Sequence, residues 1–478
     1  MNYRIITYII GWVLNFEAIF MAPACVVAVI YREKAGFSLL LTIALCLLAG
    51  ILLTRSKIKS KSMYAREGFV AVALCWIVLS AFGALPFVIA GSIPSYIDAL
   101  FEVVSGFTTT GSSILPEVES MPHCLLFWRS FTHWIGGMGV LVFVMAILPL
   151  TGGSSMYLMK AESPGPSVGK LVPKVKSTAM LLYKMYLGLS VLQLIFLLIG
   201  GMPAFDALTT MFGTAGTGGF GVKNDSIGSY SMYLQGVVTV FMILFGINFN
   251  VYYLLLKRRV GEAVKSSEVR TYLGIILAAI ILITINISSM FPNVFQAFHH
   301  AAFQVGSIIT TTGFATKDFD LWPSFSKTIL VMLMFIGACA GSTGGGIKVS
   351  RIVILFKSII KELDVIVHPH NIRKLKMDGR IVEHAVVRSV NVFLVSYLFI
   401  FTGSVLLISL DNFDFATNFT AVAATINNIG PGLSMVGPTQ NFGMFSDFSK
   451  LVLTFDMLAG RLEIFPLLIL FARNTWSE

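Results

Sequence analysis

The stretch SIITTTGFAT, residues 307–316, places three consecutive threonines and a glycine beside a long apolar run, without any charged residue. A related stretch, GFTTTGSS, occurs at residues 106–113. Two more small-residue stretches, AGTG and NNIG, end at Gly218 and Gly430, and the four glycines, starting from Gly111, are separated by 107, 95 and 117 residues. The chain therefore contains a divergent fourfold repeat.

The surroundings of these four glycines are alike. Each follows an apolar segment of roughly ten residues, which is too short to cross a bilayer, because a spanning helix needs about 20 residues. The short segments cover 98–107, 206–214, 295–308 and 414–425. Three of them begin with aspartate, which is favourable at a helix N-terminus because it accepts from free N–H groups and faces the positive end of the helix dipole. The predicted unit is helix, re-entrant half-helix, glycine loop, helix.

Composition indicates an integral membrane protein. Of 478 residues, 56% are hydrophobic and 12% are charged, whereas soluble domains carry about 25% charged residues. Ten runs are long and apolar enough to span: 6–31, 37–54, 68–97, 130–159, 185–205, 231–256, 271–298, 328–347, 389–410 and 451–472. The predicted fold is all-α, with four helix–pore-loop–helix repeats around a central pore and two extra N-terminal helices. The predicted units are 1–60 for the N-terminal helices and 61–165, 166–260, 261–365 and 366–478 for the repeats.

Charge distribution predicts the orientation. With the N-terminus in the cytoplasm, 26 of the 34 Lys and Arg residues lie on the cytoplasmic side, as the positive-inside rule requires. The C-terminus is then cytoplasmic too. The net charge of +10 is explained by this bias, so no nucleic-acid partner is predicted. The outer face is richer in acids than in bases, which suits the approach of cations, although insertion bias alone explains part of this pattern.

The glycine loops are the candidate functional elements. Non-helical backbone at membrane depth is tolerated only where protein buries it or water lines it, so four such loops are expected to converge on one axis. Potassium-channel filters bind ions through loop carbonyls, and glycine permits the positive φ angles that such loops need. The predicted ion-binding residues, acting mainly through backbone carbonyls, are Thr109, Thr110, Gly111, Thr217, Gly218, Thr311, Thr312, Gly313, Asn428, Ile429 and Gly430. For each of the four loops taken alone, the alternative is an ordinary turn between helices.

Two further features lie inside predicted spans. GACAGSTGGG, residues 337–346, holds five glycines, each costing about 1 kcal/mol of helix stability relative to alanine. A continuous helix is therefore not expected there, and the alternative is a close helix crossing through small residues. Arg461 is a charged residue within a span, which is costly and usually functional. Its alternative role is an ion pair with Asp456 or Glu463.

Several stretches together resemble one known family. They are SIITTTGFATKDFDLWP (307–323), GTGGFG (216–221), GACAGSTGGGIKVSR (337–351), INNIGPGL (426–433) and AGRLEIFPLL (459–468). The chain resembles, over its whole length, the Trk-type potassium uptake proteins, the TrkH family of the Trk/Ktr/HKT superfamily. The resemblance implies a fourfold pseudo-symmetric pore in the bacterial inner membrane, a homodimer, potassium ions at the filter residues, and a cytoplasmic ring of TrkA-type RCK/KTN nucleotide-binding subunits. Residues 361–384 are the candidate surface for that ring, with lipid headgroups as the alternative.

The same resemblance assigns roles to individual residues. It implies filter glycines at Gly111, Gly218, Gly313 and Gly430, and because sodium-conducting members carry serine at the first of these positions, potassium is predicted. The second loop departs from the pattern, with Ala215 and Gly216 where a β-branched residue or serine is expected, so a sodium-coupled or less selective cation transporter is the alternative. An intramembrane gate is implied at Gly337, Gly341, Ser342, Thr343, Gly344, Gly345, Gly346 and Lys348, and a pore barrier at Arg461. No catalytic constellation is visible, so neither an enzyme nor an organic cofactor is predicted.

Overall fold

The computed structural model describes residues 1–55, 64–139, 175–368 and 374–476. This part of the chain is almost entirely helical, and its only strands form a short antiparallel hairpin of Lys376–Met377 with Arg380–Ile381. Large apolar side chains are exposed along the outside of the long helices, among them Val29, Phe399 and Leu406. The polar side chains of the four glycine loops are buried instead. This distribution is that of a protein surrounded by lipid.

Two long helices, α1 (Tyr3–Tyr31) and α2 (Gly36–Thr54), precede the repeats and pack against each other. A Cβ atom added to Gly11 would lie 2.9 Å from the carbonyl oxygen of Gly50. The absence of side chains at these two positions therefore allows the close backbone approach that is typical of membrane helix pairs.

The repeats follow in chain order. The first contains α3 (Ala65–Gly83), α4 (Leu85–Ile89), α5 (Tyr96–Phe107) and α6 (His123–Gly137). The second contains α7 (Val175–Ile199), α8 (Ala204–Ala215), α9 (Met232–Phe245), α10 (Phe249–Leu256) and α11 (Val260–Lys265). The third contains α12 (Ser267–Ile287), α13 (Val294–Ile309), α14 (Ser324–Ile336) and α15 (Val349–Val367). The fourth contains α16 (His384–Ile408), α17 (Phe415–Ile426), α18 (Asp447–Arg461), α19 (Phe465–Leu468) and α20 (Arg473–Trp476).

The four pore helices, α5, α8, α13 and α17, begin and end within two residues of the predicted short segments. Their N-termini differ from the prediction. Ser95, Asn293 and Asp414 cap α5, α13 and α17 with their side chains, while α8 follows a proline. Asp98 and Asp206 lie in the first turn instead, and their carboxylates accept hydrogen bonds from Lys450 at 2.5 Å and from the Tyr230 hydroxyl at 2.7 Å. Aspartate capping was therefore wrong for two of the three helices.

The second helix of a repeat is usually broken. Among the described residues, six helices are long and apolar enough to span, or seven if α9 and α10, which meet at 90°, are counted as one. The chain also leaves helical conformation at 337–348, between α14 and α15, and at 462–464, between α18 and α19. The predicted spans 231–256 and 451–472 each contain a helix break that was not predicted, whereas the break predicted in the third repeat is present. The predicted run 130–159 is helical up to Gly137, and its part beyond residue 139 lies outside the described residues.

Helix packing relates the repeats cyclically. Each pore helix packs against the second helix of its own repeat and against that of the preceding one: α5 on α18, α8 on α6, α13 on α9, and α17 on α14. The first repeat therefore contacts the fourth, and the ring of repeats is closed. This arrangement brings the four loops that follow the pore helices toward one axis.

Candidate functional site

The four loops share one backbone conformation. In each, a residue with positive φ comes two positions before a glycine with positive φ. The pairs are Thr109 and Gly111 (57° and 84°), Thr217 and Gly219 (54° and 79°), Thr311 and Gly313 (59° and 82°), and Asn428 and Gly430 (55° and 101°). The residue between them donates its N–H to the carbonyl five positions earlier, at 2.8 Å in every loop. Positive φ is rare and strained for a β-branched threonine, and such strain is characteristic of functional sites.

The loops are in contact with one another through these glycines. A Cβ atom added to Gly111 would lie 2.0 Å from the carbonyl oxygen of Gly218, and one added to Gly219 would lie 1.9 Å from that of Thr312. A Cβ atom added to Gly313 would lie 2.1 Å from the Ile429 carbonyl oxygen, and one added to Gly430 would lie 2.9 Å from that of Thr110. Each glycine thus lies against a carbonyl of the next repeat, and the four loops close into a ring.

The ring corrects the alignment of the second loop. Gly219, not Gly218, is equivalent to Gly111, Gly313 and Gly430 in φ angle and in its contact with the next loop. Gly218 is equivalent to the middle residue of the other loops, whose carbonyl faces the neighbouring repeat. The predicted position was off by one residue, and the available signal was the phenylalanine that follows both Gly219 and Gly313.

Hydroxyl groups join two of the loops internally. The Oγ1 atoms of Thr108 and Thr110 are 2.8 Å apart, and those of Thr310 and Thr312 are also 2.8 Å apart. Asn428 of the fourth loop donates to Thr110 Oγ1 at 2.9 Å. The second loop has glycine at both of the equivalent positions, residues 216 and 218. Its support must come from outside the loop.

A buried ion pair that was not predicted lies behind the first two loops. Glu102 Oε1 is 2.6 Å from Arg129 Nε, and the two side chains are 0% and 3% exposed. Glu102 also accepts from the Ile114 N–H at 2.9 Å, while Arg129 donates to the Gly221 carbonyl at 3.1 Å. The pair therefore connects the segments leaving the first and second loops. The available signal was a charged residue within an apolar helix at position 129.

The glycine-rich segment 337–348 lies directly against the third and fourth loops. The Gly345 N–H donates to Thr311 Oγ1 at 2.6 Å. A Cβ atom added to Gly344 would lie 2.9 Å from the Thr310 carbonyl oxygen, and one added to Gly345 would lie 2.4 Å from that of Asn427. Small residues are therefore required for this segment to fit beneath the ring. It is called the intramembrane loop below.

The second and third repeats hold the far side of the intramembrane loop. Its Ala340 N–H donates to Glu268 Oε1 at 2.7 Å, so a carboxylate of α12 satisfies a buried backbone donor. The carbonyl of Gly341 accepts from the Phe249 N–H at 3.0 Å. Glu268 was not predicted, since nothing in its local sequence identifies the backbone group that it binds.

Arg461 lies between the ring and the intramembrane loop. It donates to the Thr343 carbonyl at 3.0 Å, to the Gly137 carbonyl at 3.1 Å and to the Gly136 carbonyl, and its Nη1 is 3.4 Å from Thr109 Oγ1. The two acids considered as its partners have other contacts. Glu463 forms an ion pair with Arg351, and Asp456 accepts from the Ser404 hydroxyl at 2.7 Å.

Lys348 and Arg351, at the end of the intramembrane loop and the start of α15, are both buried. Lys348 is 2% exposed and donates to the Gly344 carbonyl. Arg351 is 5% exposed, and in addition to its ion pair it lies 3.9 Å above the Phe393 ring. Both side chains fold back into the protein because carbonyl, carboxylate and aromatic groups there replace their hydration.

Four re-entrant pore helices whose glycine loops close into a carbonyl-lined ring define a cation transport protein of the pore-loop class. Comparison with known proteins leads to the same class of protein. Residues 36–478 match the TrkH family, described as cation transport protein, and the chain belongs to this family.

The chain is also similar to individual members. It is 37% identical to the Trk system potassium uptake protein TrkH of Salmonella typhimurium and 37% identical to that of Escherichia coli, with 100% of each chain covered. Its structure is similar to the crystal structure of the potassium transporter TrkH from Vibrio parahaemolyticus, with a TM-score of 0.90, 34% identity and full coverage of both chains. The family is one of transporters rather than enzymes.

Proposed function

We propose that this protein takes up potassium across the bacterial inner membrane, with the ring of four loops as its selectivity filter. The observation that carries the proposal is the contact of each loop glycine with a carbonyl of the next repeat, since a closed ring of neutral carbonyls can replace the water around a monovalent cation. The names of its relatives, which are potassium uptake proteins, support the same ion. Potassium is thus the transported substrate.

The proposed ion-binding carbonyls belong to the residues predicted from the sequence, with Gly219 added in the second loop. The partially negative C-terminal ends of the four pore helices point toward the ring, which favours a cation below it. Each pore helix ends within three residues of its loop's middle carbonyl. Because every charge involved is partial, the ion is stabilised without being trapped.

Gating is proposed to act at the intramembrane loop. This segment, together with Arg461, lies beneath the ring, and conduction requires both to move aside. The predicted gate residues from Gly337 to Lys348 all belong to it. Its hydrogen bonds reach residues of the second, third and fourth repeats, so movement of this segment would break contacts with all three.

Regulation is proposed to come from a homodimer partner and from a cytoplasmic nucleotide-binding ring of the TrkA type. Residues 361–384 are the proposed surface, of which 369–373 lie outside the described residues. The hairpin in this region contacts the start of α12, where the Ser267 N–H donates to Asp378 Oδ1 at 2.6 Å. Glu268 follows Ser267 and binds the intramembrane loop. A movement of the hairpin would therefore be transmitted to the proposed gate through these two neighbouring residues.

The proposed topology keeps both termini in the cytoplasm. It also keeps the predicted units, with the N-terminal helices in 1–60 and the repeats in 61–165, 166–260, 261–365 and 366–478. The repeated geometry supports these units, because each of the four ranges contains one pore helix and one glycine loop.

The proposal is tested by reversal potentials of the purified full-length protein in a lipid bilayer, under separate gradients of potassium, sodium and protons. A reversal potential that follows the potassium gradient alone supports selective, passive conduction. A shift with the sodium or proton gradient indicates coupling, and equal responses to potassium and sodium contradict a potassium-selective filter.

A less selective monovalent cation transporter is the second candidate. The observation in its favour is that the second loop lacks the hydroxyl pairs that join residues 108 and 110, and 310 and 312, in the first and third loops. A loop with less internal support distinguishes ions of different size less sharply. Sodium competition against potassium uptake in the same bilayer or vesicle system separates the two candidates.

A further inference from the structure

Helix α6 presents two polar side chains to the second loop. Arg129 and His133 are one helical turn apart, so they share one face of α6, and both are buried. Between them lies Phe220, the residue after Gly219. The Arg129 guanidinium is 3.5 Å from the centroid of the Phe220 ring, and the His133 ring centroid is 4.2 Å from it. The second loop is therefore held from the first repeat.

The imidazole of His133 occupies the space in which a side chain at position 218 would lie. A Cβ atom added to Gly218 would be 2.2 Å from His133 Nδ1, 2.4 Å from Cγ and 2.5 Å from Cε1. The backbone does not require glycine at this position, because Gly218 does not have positive φ. The first and third loops carry threonine here. The three atoms nearest to the added Cβ all belong to the histidine ring, which therefore excludes a side chain at this position of the second loop.

Both ring nitrogens of His133 have defined partners. The Phe220 N–H donates to Nε2 at 3.2 Å, so Nε2 carries a lone pair, and Nδ1 therefore holds the proton that it donates to the Gly106 carbonyl at 2.7 Å. The ring is neutral and connects the end of the first pore helix with the second filter loop. It makes a donor and an acceptor contact, as the threonine hydroxyls do within their own loops.

We propose that His133 is a positioning residue of the selectivity filter, which fills the space of the missing side chain at Gly218 and, by accepting the Phe220 N–H, fixes the direction of the Gly219 carbonyl in the same peptide group. This inference rests on the proposed function, since it assumes that this carbonyl faces the ion. It accounts for a filter in which one loop has glycine at two positions where two other loops have threonine. The second loop is supported from a neighbouring repeat instead of from within.

The test combines single and double variants of the full-length protein. His133→Ala leaves the buried Phe220 N–H without its acceptor and removes one of the donors to the Gly106 carbonyl, which keeps the Thr109 N–H. We expect the preference for potassium over sodium to fall about tenfold, which is the effect of losing one such contact. Gly218→Thr alone overlaps the ring and should abolish transport. In the double variant the threonine enters the vacated space, and we expect most of the transport and selectivity to return.

His299→Ala is the matched control, because His299 lies on a pore helix and its Nε2 is 2.8 Å from Gln235 Oε1 rather than from a filter loop. It should leave selectivity unchanged. Unaltered selectivity in His133→Ala, or a Gly218→Thr variant that transports normally with His133 present, overturns the proposal. If His133→Ala does not reach the membrane, His133→Val, which is smaller than histidine and has neither donor nor acceptor, replaces it in the single and double variants under the same criteria.

Thermal unfolding of the same variants separates this inference from the proposed function. Gly218→Thr should lower the melting temperature and the added His133 substitution should raise it again, whichever ion the protein carries. If the double variant recovers stability but the wild-type protein does not prefer potassium, the proposed function alone is contradicted. Normal potassium selectivity with no recovery in the double variant would contradict the role of His133 alone.

Discussion

Arg461 donates to the carbonyl oxygen of Thr343 at 3.0 Å and thereby connects the last long helix of the fourth repeat to the intramembrane loop of the third. The same guanidinium reaches the first repeat through Gly136, Gly137 and Thr109. One cationic side chain thus joins three of the four repeats directly beneath the carbonyl ring. A positive charge in this place would oppose the residence of a cation, which is the proposed barrier role of Arg461.

Replacing Arg461 tests this barrier. Arg461→Ala should raise basal potassium flux, because it removes both the charge and the hydrogen bonds to the intramembrane loop. Rubidium tracer uptake into proteoliposomes measures the effect. Arg461→Lys keeps the charge with fewer donors and should give an intermediate flux. Flux equal to that of the wild type in Arg461→Ala would exclude a barrier role.

The bond between Gly345 and Thr311 provides a more selective test of the gate. Thr311→Val removes the acceptor at 2.6 Å, and an unsatisfied buried N–H costs about 1–3 kcal/mol. The closed position of the intramembrane loop should be weakened by that amount, so that basal flux rises about tenfold.

Thr217→Val is the matched control for this variant. Thr217 has the same positive φ in the second loop, but its hydroxyl donates to the Gly216 carbonyl rather than contacting the intramembrane loop. Both variants alter a filter threonine, and only Thr311→Val should increase the leak. Equal increases in the two would attribute the effect to the filter.

Gly313 is expected to tolerate no side chain. Its φ is 82°, and an added Cβ atom would lie 2.1 Å from the Ile429 carbonyl oxygen. Gly313→Asp should abolish growth rescue of a potassium-uptake-deficient strain at low external potassium, while the protein still reaches the membrane. Gly236→Ala, at a helical glycine with nothing within 4 Å, should rescue normally. Rescue by Gly313→Asp would contradict the filter assignment.

The pair of Glu102 and Arg129 should be essential for stability. Removing one partner of a buried ion pair leaves an uncompensated charge and costs about 3–5 kcal/mol, so Glu102→Ala should lower the melting temperature of the purified protein strongly. The exposed pair of Arg259 and Glu262 is the comparison, since such pairs contribute at most about 1 kcal/mol. Similar shifts for Glu102→Ala and Glu262→Ala would show that the buried pair is not a structural support.

Local sequence determined much of the architecture. The pore helices were predicted within two residues, because their length and apolar character are properties of a short continuous segment. The break in the third repeat followed from the glycine content of 337–346. The breaks after α9 and α18 were missed, since the apolar run continues through the first and Glu463 and Ile464 adopt positive φ in the second, which composition does not reveal.

The sequence by itself determined that this is a membrane protein of four repeats with glycine loops, because the order of residues already sets where apolar side chains gain free energy in lipid and where polar groups would lose it. Tertiary structure alone decided that the four loops touch through their glycines, and that Arg129 and His133 contact a loop about 90 residues away in the next repeat. The physical reason is that these contacts arise from the cyclic packing of pore helices on preceding repeats. Residues distant in the chain become neighbours only when the ring closes.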